Sequence, residues 1–327
     1  MQAQAQFGKA QPASGMYESF YLRAVSPEEP LGVWLRYTIH KRPGHAPTGS
    51  LWCTVFDGVR GAPFMHKETF PHPSSPPGEW IEIGGSVLGP EGAEGRCGEA
   101  SWKLRFAPQD NELRHLRPGW LYRAPLPRTK LTSPAPLAGF EGTVQIPGRA
   151  SLELSAWPGM IGHNWGAEHA ERWIWLHGCC FGGDAAAGSW VDLAAGRLAI
   201  AGRMTPWVIN GALSHEGRRT RIGGLLAGRA HVHESATGCS ISLRRRRSRA
   251  SLELLAQIPE GTAAGWRYAD PDGGEHDVVN CSIAALQLTV TDPGGRRTVL
   301  ETRHGGTYEL GMRERDHGVT LAPFGDG

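Results

Sequence analysis

Apolar and polar residues along this chain alternate singly far more often than they recur at helical spacing. Trp102, Leu104 and Phe106 are set between Ser101, Lys103 and Arg105, the period-two pattern of a strand with one face on a core and the other in water. The same idiom, bounded by Pro/Gly turns, predicts strands in the first half over Tyr17–Val25, Val33–Lys41, Leu51–Asp57, Glu79–Leu88 and Glu99–Phe106. In the second half it predicts Trp173–Phe181, Ser189–Leu193, Arg197–Ala201, Thr220–Leu226, Cys239–Arg245, Ser251–Ile258, Asp277–Thr291, Thr298–Arg303 and Thr307–Arg313. Apolar residues at three- and four-residue spacing never persist beyond about two turns. Many short strands with almost no helix between them imply an all-β protein of antiparallel barrels or sandwiches rather than a parallel α/β sheet.

At 327 residues the chain exceeds what one core usually supports, so two domains are expected. Arg123–Pro136, with Pro125, Pro127, Pro134 and Pro136, favours an extended linker over a packed strand. The division is placed at 1–145 and 146–327. Ala150–Ala156 reads almost like Ala250–Ala256, one strand of self-similarity that chance or duplication explains equally well.

Twelve tryptophans require a core, a pocket or an interface. The formal charge of +2 produces no field that implies a nucleic acid or a membrane partner. The run Arg244–Arg247 reads as a strand end exposed to water. No apolar stretch reaches the roughly 20 residues of a membrane helix, and the N-terminal residues lack an apolar signal core, so cytoplasmic residence is expected. The six cysteines show no paired spacing and read as reduced, mostly buried thiols.

The densest chemistry lies in Gly162–Gly178, where His163, His169, His177, Glu168, Glu171, Arg172, Asn164, Trp165, Trp173 and Trp175 fall within seventeen residues. On a strand, Trp173, Trp175 and His177 share one face and Ile174, Leu176 and Gly178 the other. Two indoles and an imidazole on one wall, with polar groups supplied by the preceding loop, suit an apolar ligand pocket. Asp192, a carboxylate among strand apolar residues, is paired, functional or in a turn. His231-Val-His233 places two imidazoles on one side of a strand, but a catalytic zinc needs a third protein ligand, so a surface strand is favoured and no metal or other cofactor is expected. No Gly-x-Ser-x-Gly elbow, P-loop or dinucleotide fingerprint appears in a strand–helix context.

Asn164-Trp165-Gly166 followed by Arg172-Trp173-Ile174-Trp175 resembles the Asn-Trp-Gly and Trp-x-Trp signature of tocopherol cyclases. More broadly it is similar to the superfamily of tandem lipocalin-like proteins that includes carotenoid 1,2-hydratases and AttH-type proteins. Tyr17-Glu-Ser-Phe-Tyr21 and Tyr308-Glu-Leu-Gly311 resemble that group's opening and closing strands. The resemblance implies two lipocalin-like barrels in tandem and an apolar, usually isoprenoid-derived substrate, with an acid that protonates a double bond and an oxygen nucleophile that captures the cation. His177 stands where the cyclases tend to carry an amide.

The combined expectation is a cofactor-independent enzyme acting on an isoprenoid or polyketide-like molecule by acid-assisted cyclisation, hydration or isomerisation. Glu168 or Asp192 is the expected acid and His163 and His177 are its proton-handling partners. Asn164, Trp165, Arg172, Trp173, Trp175 and Trp207 are expected to bind substrate. A non-catalytic lipid carrier or sensor using the same pocket is the alternative.

Overall fold

The computed structural model describes residues 3–9, 13–182, 188–200, 202–224, 229–244 and 248–324. The architecture is two large antiparallel sheets, both barrel-like, one nearly closed and the other a half-barrel. In the first, Met16–Val25 pairs with Leu31–Lys41 on one side and with Leu152–Gly166 on the other. In the second, Arg172–Gly178 pairs with Trp190–Arg197 on one side and Arg297–Met312 on the other. Each sheet's opening strand is thus hydrogen-bonded to its closing strand, and the strand order outward from that seam is alike in both.

This shared order tests the short self-similarity. Ala150–Ala156 runs into the closing strand of the first sheet, whereas Ala250–Ala256 runs into Ser251–Gln257, two strands in from the close of the second. The two copies hold different places in the common topology.

Sheet membership changes between Gly166 and Arg172. The expected division at 145/146 lies in the hairpin between Thr129–Gln145 and Leu152–Gly166, both in the first sheet. The proline-rich stretch expected as a linker is largely strand: Thr129–Gln145 is paired along both edges. Its register slips between Thr132 and Ala135 and again between Ala135 and Ala138, around Pro134 and Pro136, because proline has no N–H to give the ladder and is accommodated at bulges. Two further expectations are refined. Glu79–Leu88 is a hairpin, Ile81–Ile83 with Ser86–Leu88, turning at Gly84 and Gly85, both at positive φ. Thr298–Arg303 and Thr307–Arg313 are one strand, Arg297–Met312. Arg244 ends the strand Gly238–Arg244, and Arg245–Arg247 lie outside the described residues.

The opening strand of the first sheet is buried along its whole length. Phe20, Leu22 and Ala24 enter the first sheet's own core, while on the other face Tyr17 meets His169 in the connection between the sheets and Tyr21 and Arg23 meet the second sheet. The second large core crosses the junction, with Trp34 and Trp52 from the first sheet against Trp266 from the second at 6.4 and 5.0 Å between ring centroids. All six cysteines are free and five are buried. Among the described residues no helix is long and apolar enough to cross a membrane.

Candidate functional site

A cavity of about 400 Å³ opens where the two sheets face each other. Tyr17, Tyr21, Trp34 and Arg36 form its wall from the first sheet, and Trp173, Trp175, Tyr268 and Glu309 form the facing wall. Leu116, Leu121, Leu126 and Pro127, from the segment after the strand Leu113–Arg114, cover one side. The surface is mostly aromatic and aliphatic, with a few polar groups, as small-molecule sites are.

The walls follow from strand alternation. Trp173 and Trp175 project from one face of Arg172–Gly178, as their spacing requires, and Ile174 and Leu176 pack into the core on the other. Trp175 meets Tyr21 edge-on at 5.1 Å. Two glycines make room for the rings. A Cβ on Gly311, the register partner of Trp173, would lie 2.2 Å from the indole, and one on Gly162 would lie 2.1 Å from the Tyr21 ring. The indole and the phenol therefore lie flat over bare backbone.

Two polar assemblies border the cavity. In the first, the Glu309 carboxylate accepts from Trp173 Nε1 at 2.9 Å, Asn280 Nδ2 at 3.0 Å and the Tyr268 hydroxyl at 3.3 Å. Burial pushes the Tyr268 pKa well above its ordinary value, so the phenol stays a donor, and the Arg36 guanidinium lies 4.0 Å from its ring centroid. In the second, Asp270 Oδ1 accepts from the backbone N–H of His169 at 2.8 Å and pairs with His169 Nδ1 at 2.7 Å. Burial alone would raise the Asp270 pKa, but the bonds and charge of His169 outweigh it and hold the carboxyl below its usual range. His169 is stacked on Tyr17 at 3.9 Å, lines the cavity, and keeps its buried Nε2 without a partner. This is the imidazole–carboxylate arrangement that fixes a ring's orientation and tautomer.

His169, Asp270 and His276 also bring three potential ligand atoms within 4.8 Å of one another, and His66, Glu68 and Cys97 form a second such group. In the first group Asp270 Oδ1 is taken by His169 and the Arg313 guanidinium stands 3.8 Å from Oδ2, so the arrangement is that of a charge-braced imidazole. His231 and His233 are exposed on the edge strand Arg229–Ser235, and Glu234 turns to Arg172 at 2.9 Å.

The residues singled out in the sequence divide sharply. Asn164, Trp173 and Trp175 line the cavity, and Asn164 Oδ1 has no partner. Asp192 is fully buried behind Trp175, accepting from its Nε1 at 3.2 Å and from the Ser133 hydroxyl, with His115 Nε2 at 3.4 Å. Burial raises its pKa, but His115, His177 and Ser133 together outweigh burial and hold it below the usual carboxylate range. His177 joins the sheets, with Nδ1 2.9 Å from Arg23 and Nε2 2.9 Å from the Pro136 carbonyl. Burial, then Arg23, push its pKa down to about 4. His163 pairs with Glu18 at 2.7 Å between Phe20 and Trp165. Glu168 bonds Arg128 at 2.7 Å, Arg172 bonds Glu234 and Glu314, and Trp207 lies beside Arg197. Glu168, His163, Trp165, Arg172 and Trp207 stand outside the cavity wall.

Glu309, Tyr268 and the His169–Asp270 pair were not selected from the sequence. Glu309 lies inside Tyr308-Glu-Leu-Gly311 and Tyr17 and Tyr21 bound Tyr17-Glu-Ser-Phe-Tyr21, so the two terminal motifs carried the signal. Tyr268 and Asp270 belong to no motif.

No family model matches the chain. An uncharacterized protein of Mycobacterium tuberculosis, found in strains H37Rv and CDC 1551, is 25% identical over 321 residues, spanning 92% of this chain and 88% of the relative. Among solved structures, an AttH-like protein of Nitrosomonas europaea matches with a TM-score of 0.58 at 10% identity, over 95% of this chain and 98% of that one. CghA in complex with Sch210972 matches at 0.60 and 11% identity, over 91% and 88%. Kievitone hydratase of Nectria haematococca matches at 0.52 and 8% identity, over 91% and 89%. At such identities the likeness is one of fold, and the fold is the tandem lipocalin-like barrel arrangement that the central and terminal motifs implied.

Proposed function

We propose that this protein is an enzyme that binds an apolar isoprenoid or polyketide-like molecule in the cavity between its sheets and catalyses an acid-assisted cyclisation, hydration or isomerisation. The observation that carries this reading is the meeting of aromatic walls with two proton-handling assemblies, His169–Asp270 and Glu309, at one cavity. The names of two proteins sharing the fold support it: one is a hydratase of kievitone, and CghA has been crystallised with the small molecule Sch210972.

Each of these reactions needs a proton delivered to one atom of the substrate and another removed nearby. His169, held at Nδ1 by Asp270, presents Nε2 as the proton-transfer atom; Glu309 accepts from the substrate or from the nucleophilic hydroxyl or water. The faces of Trp173, Trp175 and Tyr268 tolerate positive charge developing between them, and Asn164 Oδ1 orients a donor on the ligand. In this reading Asp192 fixes Trp175 and His177 fixes the junction, so both act through others rather than on the substrate.

The test is native mass spectrometry of freshly purified protein, then extraction of what copurifies and its use as substrate for His169→Asn and Glu309→Gln. The reading expects a terpenoid or polyketide and at least a hundredfold lower kcat in each variant. A heterogeneous set of fatty acids, with no turnover of any candidate, would establish the carrier instead.

A further inference from the structure

The chain's small net charge hides one strongly uneven segment. Between Glu112 and Glu141 there is no acidic residue, yet Arg114, Arg117, Arg123, Arg128 and Lys130 fall there. Tertiary structure sets this stretch over the cavity. Leu116, Arg117, Leu121, Leu126 and Pro127 line the cavity; the short 3₁₀ turn Gly119–Tyr122 holds Trp120 outward, 59% exposed, and Leu126, at the cavity's edge, is 57% exposed.

The presentation is braced. The Tyr122 hydroxyl accepts from the Leu116 N–H at 3.2 Å and donates to the Leu131 carbonyl at 2.6 Å, and Lys130 Nζ donates to the Ala124 carbonyl at 2.9 Å. Arg114 pairs with Glu112 and Arg128 with Glu168, whereas Arg117 and Arg123 are exposed beside Trp120. Leu198 also lines the cavity, and the hairpin it enters ends in exposed Arg203 and Met204.

We propose that this rim, centred on Trp120, Leu126, Arg117 and Arg123, docks on an anionic phospholipid bilayer, from which the cavity takes its ligand. An outward indole and a half-exposed leucine at the cavity's edge, with guanidinium groups nearby, match the interface of such a membrane, where aromatic rings sit at headgroup level and arginines meet lipid phosphates. The source of the ligand rests on the reading of the cavity given above; the docking itself does not.

The experiment is cosedimentation of the intact protein with vesicles of phosphatidylglycerol and phosphatidylcholine, compared with phosphatidylcholine alone, with no added ligand. Binding is expected to the anionic vesicles and to weaken as salt is added. Trp120→Ser and Arg123→Gln, both at exposed positions, are each expected to lower it about tenfold with an unchanged thermal melt. Absence of wild-type binding, or equal binding by both variants, overturns the proposal. If docking holds but nothing apolar is extracted from the protein, the rim assignment stands and the cavity reading falls.

Discussion

Arg23 on the opening strand of the first sheet stands 2.9 Å, guanidinium to imidazole Nδ1, from His177 on the opening strand of the second. The other ring nitrogen lies 2.9 Å from the Pro136 carbonyl. With Nε2–H donating to that carbonyl, Nδ1 accepts from the guanidinium, and both bonds require the neutral imidazole. Protonation would set two cations against each other in a dry junction.

This sets a pH dependence of stability. The pKa of His177 is lowered to about 4, first by burial, and that of His276 to about 3, also first by burial. Below about pH 6.5, the ordinary histidine value, the unfolded chain takes up protons that the folded one refuses. Stability therefore falls with falling pH from 6.5 until each folded pKa is passed, at up to about 1.4 kcal/mol per pH unit for each group. Chemical denaturation across this range should show the loss, and His177→Gln should remove its share and leave that of His276.

The two sheets share one core through Trp34, Trp52 and Trp266. Trp266→Ala should cost about 3–5 kcal/mol, and unfolding monitored by near- and far-ultraviolet circular dichroism should remain one coincident transition. Two separate transitions would show that the sheets are held independently.

Gly311→Ala places a methyl group 2.2 Å from the Trp173 indole. The ring must leave the sheet, breaking its bond to Glu309 and entering the cavity. A loss of about 1–3 kcal/mol is expected, with weaker binding of an apolar fluorescent probe. An unchanged probe affinity would mean the ring relaxes elsewhere.

Asp192→Asn leaves Ser133, His115 and Trp175 around an uncharged amide that must also place two donors of its own. About 3 kcal/mol of destabilisation is expected, read from denaturant midpoints. Glu168→Gln, altering a half-exposed pair with Arg128, should stay within about 0.5 kcal/mol.

Much of the fold was legible locally. Strand alternation found Met16–Val25, Leu31–Lys41 and Ala100–Pro108 to within about two residues, because the pleat sends successive side chains to opposite faces. It overlooked Thr129–Gln145, where prolines mask a strand built around bulges. The face carrying Trp173, Trp175 and His177 was also readable, since register on one strand is a local property. What each of those side chains meets was not readable: Asp192 and Glu168 look alike in sequence, yet one lies behind an indole and the other on an exposed arginine.

The sequence by itself determined the strand class and the aromatic segment in the middle of the chain. Only tertiary structure decided the site. Tyr21, Trp175 and Glu309 come from three strands far apart in sequence, and they meet because each sheet's first strand pairs with its last while the two sheets lie face to face. Period-two alternation reports which face a residue occupies, and carries no information about which distant strand that face will meet.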